Sequence, residues 1–149
     1  VCFCMVLVIQ LLFAANLMGL SWFIQSVHYP LFRQVPIEVF EKYTHLHQRK
    51  TSCVVAPLML GEMLTGIWLL IIGPISLTLI ILSILLLFNW VLTIGLAVPE
   101  HKKLSQKKSN QAINRLIAVH WLRTCSWSVR SLLLAYLLLL QLERVNEVF

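Results

Sequence analysis

The stretch His120-Trp121-Leu122-Arg123-Thr124-Cys125-Ser126-Trp127-Ser128-Val129-Arg130 decides how this chain folds. It lies inside an apolar run from Leu116 to Leu142, long enough for the roughly 20 helical residues that a bilayer core requires. On a helix, His120, Arg123, Thr124, Trp127, Arg130 and Ser131 share one face, while Ala118, Leu122, Cys125, Val129 and Leu133 take the opposite one. Guanidinium groups within a span must face other helices, water or a bound partner, because hydrocarbon does not solvate charge. The stretch therefore predicts a helical bundle with a polar site inside it.

Working outward, the chain repeats the apolar pattern three more times. Of its 149 residues 59% are hydrophobic and 12% charged, against about half and about a quarter in soluble domains. The apolar blocks fall at about residues 3–27, 51–72, 75–98 and 116–142. They predict an all-α, integral membrane, four-helix up-down bundle forming a single domain over residues 1–149. Cys2 to Val27 lacks a basic leader and a small-residue cleavage site, so it reads as a retained first span. His28-Tyr29-Pro30 is expected to end that span and Pro99 to end the third, since proline disfavours helix at the preceding residue. Span two carries Pro57 as an expected kink and Glu62 as its single charge. Gly73-Pro74 predicts a tight turn. Pro36 to Lys50 reads as an interfacial amphipathic helix between spans one and two, with acids early and bases late, able to run on into the second span.

The formal charge of +6 would suggest nucleic acid in a soluble protein, but its placement argues for a membrane. Arg33, Lys42, Arg49 and Lys50 lie in one connection, and Lys102, Lys103, Lys107, Lys108 and Arg115 in another. The positive-inside rule then makes segments 28–50 and 99–115 cytoplasmic, with both termini outside, in the inner (plasma) membrane. The expected partner is the lipid bilayer, not nucleic acid. Cys2, Cys4, Cys53 and Cys125 lack zinc spacing, and His45 and His47 are two apart rather than four, so no metal site is predicted and no cofactor is named.

Half a bilayer core is about ten helical residues deep. Counted from the basic side, Asn16, Glu62, Asn89 and the pair Arg123 and Arg130 all fall near that depth. Their faces also carry small or hydroxyl residues, including Gly19, Thr65, Gly66 and Thr93, as close helix contact in lipid favours. These faces are expected to converge, with Glu62 paired to Arg123 or Arg130. One glutamate cannot neutralise two arginines, so the surplus charge points to an anionic or electron-rich ligand, or to Arg123 snorkelling towards the surface. His28, His45, His47, His101 and His120 cluster near the basic boundary, and only His120 shares the arginine face. Trp22, Trp90, Trp121 and Trp127 lie in the same half, as an aromatic belt or as a stacking wall for a flat ligand. The candidate catalytic residues are His120 as proton acceptor, Arg123 as anion stabiliser and Glu62 as the group orienting an arginine. The candidate ligand-binding residues are Asn16, Asn89, Thr93, Trp127, Arg130, His28 and Trp22.

The pattern Trp22, His28-Tyr29-Pro30, His45-x-His47-x-Arg49, Glu62, Asn89-Trp90, Pro99-x-His101 and His120-Trp121-x-Arg123-Thr124-x-x-Trp127 resembles small uncharacterised bacterial membrane proteins with four spans. The resemblance extends over most of the chain. More distantly, in architecture and residue types, the chain is similar to the anthrone oxygenase-like family, some members of which oxidise polycyclic phenols without a cofactor. No catalytic assignment is carried across that second likeness.

Three functions fit these residues. The first is a membrane-embedded, oxidoreductase-like enzyme acting on a lipophilic aromatic or quinone-like molecule. The second is a proton or anion transport module, which would need a homo-oligomer or a partner chain. The third is a structural or assembly subunit whose polar groups only pair helices.

Overall fold

A computed structural model describes residues 2–146 as six α-helices: α1 (Cys2–Phe23), α2 (Tyr29–Phe32), α3 (Ile37–Ile72), α4 (Leu77–Leu92), α5 (Val98–Leu104) and α6 (Asn110–Asn146). One π-helical turn, Ile24–His28, fuses α1 to α2, and another, Thr93–Ala97, fuses α4 to α5. The result is four rods, each long and apolar enough to cross a membrane.

The two π turns correct the expected helix ends. Helix continues through Pro30 to Phe32 and through Pro99 to Leu104. In a regular α-helix a proline ring collides with the carbonyl four residues back. Here each proline follows two residues after a π turn, in which the Tyr29 N–H donates to the Ile24 carbonyl and the Val98 N–H to the Thr93 carbonyl. The wider turn makes room for the ring, and the extra residue reorients the wall of the bundle.

The segment from Pro36 onward does not stand apart from the second span. It forms the opening turns of α3, which runs unbroken for 36 residues with Pro57 inside it, about 54 Å at 1.5 Å per residue. Its apolar face buries Phe40 against Phe32, Leu104 and Ile113, so those turns cap one end of the bundle. At the other end, residues 73–76 join α3 to α4, and the Ser76 hydroxyl accepts the Leu79 N–H at 3.2 Å to start the next helix.

The rods pack in the order α3, α1, α6, α4. Gly61 lets the Phe13 ring lie against α3, where any Cβ would collide with it. The remaining seam, between α3 and the α4–α5 rod, is pinned at two places. Near the 73–76 turn, Leu86 packs on Gly66 so closely that a Cβ there would lie 2.7 Å from its Cδ2. At the basic end, Gln48 Nε2 donates to the His101 carbonyl at 2.7 Å. Between those pins the two rods stand apart around a cavity.

Candidate functional site

The face read from the 120–130 stretch is the buried face of α6. His120, Arg123, Thr124, Trp127, Arg130 and Ser131 are all buried, while Ala118, Leu122, Cys125 and Val129 are exposed and Leu133 is half-buried. Below the cavity, Arg130 Nε donates to Glu62 Oε1 at 2.7 Å, and Trp127 Nε1 donates to the other carboxylate oxygen at 3.2 Å. Arg130 also donates to the Leu82 carbonyl. One ion pair thereby ties α3, α6 and α4 together. Glu62 is 0% exposed, and neither it nor Arg130 lines the cavity. Glu62 thus orients an arginine, as expected, and that arginine is Arg130; both sit behind Trp127 and are engaged with each other.

The cavity measures about 320 Å³. Tyr29 of α2, His47 of α3, His101 of α5, and His120, Arg123 and Trp127 of α6 form its polar wall. Leu17, Ile24, Val55, Met59 and Ala97 supply much of its apolar lining, and Trp90 and Thr93 complete the α4 side. Both π turns contribute, through Ile24 and through Thr93 and Ala97.

Within the polar wall, His120 Nδ1 lies 3.0 Å from Gln25 Oε1 and 3.3 Å from the Thr124 hydroxyl. With the Gln25 oxygen accepting the Nδ1 proton, Nε2 keeps the lone pair, so the ring is set up to receive a proton there. The Tyr29 ring stands edge-on to His120, centroids 4.9 Å apart, and its hydroxyl lies 3.5 Å from His101 Nε2. The guanidinium of Arg123 lies over the Trp127 ring at 4.9 Å. Arg123 is 7% exposed, and no described carboxylate lies within salt-bridge distance of it. Burial rules out snorkelling, which leaves the surplus charge beside the cavity. Trp127 lines the cavity and also serves as a platform for Arg123.

Several expected contacts lie elsewhere. Asn16 is exposed and donates to its own Leu12 carbonyl at 2.8 Å, and Gly19 and Phe23 point outward with it. A side-chain amide that bonds the carbonyl one turn back needs no partner on another helix. Gln10, fully buried and bonded by the Thr65 hydroxyl, is the interior amide of α1 instead. Replacing Asn16 by leucine should therefore change stability by no more than about 0.5 kcal/mol, checked by thermal melting in detergent. Trp22 is 43% exposed, donates to Ser128 at 3.0 Å and meets Trp121 edge-on, which places it on the outer surface of the α1–α6 seam. His28 lies outside the lining and stacks on His47 with centroids 4.1 Å apart. Asn89 is fully buried away from the cavity, with both polar side-chain atoms lacking a described partner. Thr93 does line the cavity, its hydroxyl donating to the Asn89 carbonyl at 2.7 Å.

Sequence reasoning missed Tyr29, His47, His101 and Gln25 as site residues. The available signal was the crowding of histidines at one boundary. It was hidden because His45 and His47 lie on different helical faces, of which only that of His47 turns inward. Among the described residues, no three His, Cys, Asp or Glu side chains are arranged to hold a metal ion. The chain matches no family model, no curated protein and no solved structure.

Proposed function

We propose that the cavity binds a lipophilic aromatic or quinone-like molecule with an acidic or electron-rich oxygen, and that the site acts on it by proton transfer. The observation that carries this reading is Arg123, a buried cation without a carboxylate, beside a largely apolar cavity. An unpaired buried charge is strongly disfavoured, so an oxyanion at Arg123 is stabilised by a guanidinium that no described carboxylate compensates. His120 Nε2 takes the proton from the ligand hydroxyl, Gln25 holds the opposite ring nitrogen, and Arg123 holds the resulting oxygen anion. The likeness to the anthrone oxygenase-like family is consistent with a phenolic substrate of this kind. The charge bias supports an inner-membrane protein whose basic end, and hence whose cavity, lies in the cytoplasmic half. Transport is less favoured, because the polar groups beyond Trp127 are already closed into the Glu62–Arg130 pair.

The test is mass spectrometry of compounds that copurify with the protein, followed by calorimetric titration with 2-hydroxy-1,4-naphthoquinone in detergent. Binding is expected, and His120→Ala should weaken it about tenfold, or about 1.4 kcal/mol. If no lipophilic compound copurifies and the naphthoquinone does not bind, the polar interior only pairs helices, and the protein is a structural subunit.

A further inference from the structure

We infer that the ligand is an amphiphile: an oxygen-bearing ring seated at Arg123, with a hydrocarbon tail that leaves the bundle sideways through a window between α3 and the α4–α5 rod. This deepens the proposed function by assigning the substrate class and its route. The window lies between the two pins already described, Gly66 with Leu86 at one end and Gln48 with the His101 carbonyl at the other.

On its α3 side, Ser52, Ala56 and Leu60 recur every four residues, so they form one stripe. All three line the cavity and are exposed on the outer surface. On the opposite side, Val98 does the same. A residue that both lines a cavity and is exposed marks where the cavity opens. The opening lies on the flank of the bundle and runs from the basic ends of the two spans, at Ser52 and Val98, inward to Leu60, so the hydrocarbon of a bilayer would begin within it.

His120, Arg123 and Trp127 stand on α6, across the cavity from the window, whereas Ala56, Leu60 and Val98 make an apolar stretch of the mouth, with Ser52, His47 and His101 towards its basic end. A head that needs Arg123 must therefore travel past an apolar lip, and whatever follows it rests against alkyl groups. A tail left in that lip stays in hydrocarbon, at no desolvation cost. A water-soluble anion gains nothing from such a lip. At about 320 Å³ the cavity stands at the small end of ligand pockets, so a ring seated at Arg123 directs a long tail towards the opening. The π turn at Thr93–Ala97 lies on this same wall and contributes Thr93 and Ala97 to it.

The probes are 2-hydroxy-1,4-naphthoquinone and the same ring with a ten-carbon alkyl chain at position 3, titrated calorimetrically into detergent-solubilised wild type, Ala56→Trp and Val98→Trp. Because Ala56 and Val98 line the cavity, the quantity read is the ratio of tailed-ring to tailless-ring affinity within each protein, with melting temperature reporting that the variants are folded. The tailed ring should bind wild type more tightly than the tailless one, and that ratio should fall at least about tenfold in each window variant, about 1.4 kcal/mol. Equal binding of the tailed ring to wild type and both variants would overturn the window while leaving the cavity reading intact. Failure of both rings to bind wild type would overturn the cavity reading and the window together. Loss of both rings in equal proportion from the variants would likewise overturn the window, since the substitutions would then act on the cavity and not on its mouth.

Discussion

Glu62→Ala is expected to destabilise the protein by about 3 to 5 kcal/mol, the typical effect of stranding one partner of a buried ion pair. The carboxylate receives Arg130 on one oxygen and the Trp127 indole on the other, so its loss leaves a guanidinium and an N–H without their acceptor between three helices. Glu62→Gln, which retains an acceptor oxygen but not the charge, should lose about 1.5 to 3 kcal/mol. The double replacement Glu62→Leu with Arg130→Leu should recover most of the loss, because a well-packed apolar pair can match a buried salt bridge. Reversible unfolding in mixed micelles, or melting temperature where unfolding is irreversible, measures all three. A single Glu62→Ala variant as stable as wild type would show that the pair does not hold the bundle together.

Arg123→Leu should behave in the opposite way. With no carboxylate to strand, removal of this buried cation should leave the melting temperature unchanged or raise it. Binding of 2-hydroxy-1,4-naphthoquinone should fall by about ten- to a hundredfold, the range of a charge-assisted hydrogen bond worth about 1.5 to 3 kcal/mol. Two arginines seven positions apart on one helix thus carry different work, one structural and one for the ligand. The pair of measurements separates them. An Arg123→Leu protein that is destabilised but binds the ring normally would reverse the assignment.

Much of this arrangement was legible in the chain itself. The buried face of α6 follows from helical spacing, because a polar side chain among leucines has only one energetically acceptable direction. That Glu62 would find an arginine follows from the same constraint, as it is the only acid within its span. Asn16 escaped the reasoning because an asparagine can satisfy its amide on the backbone of its own helix, as it does on the Leu12 carbonyl. Periodicity detects polarity but not whether a neighbour on the same helix has already answered it. Pro30 and Pro99 escaped for a related reason. Their local preference is to end a helix, and each rod continues through a π turn, which no residue type announces.

By itself the sequence determined four apolar rods, the basic end, and the face of α6 on which the charges lie, since each depends only on residue type and local period. Tertiary structure alone decided which arginine is paired, which histidines meet, and where the bundle stays open. Those outcomes depend on the rotation and spacing of one rod against another. Such spacing is set by Gly61 beneath Phe13, by Gly66 beneath Leu86, and by the reach of Gln48 to the His101 carbonyl.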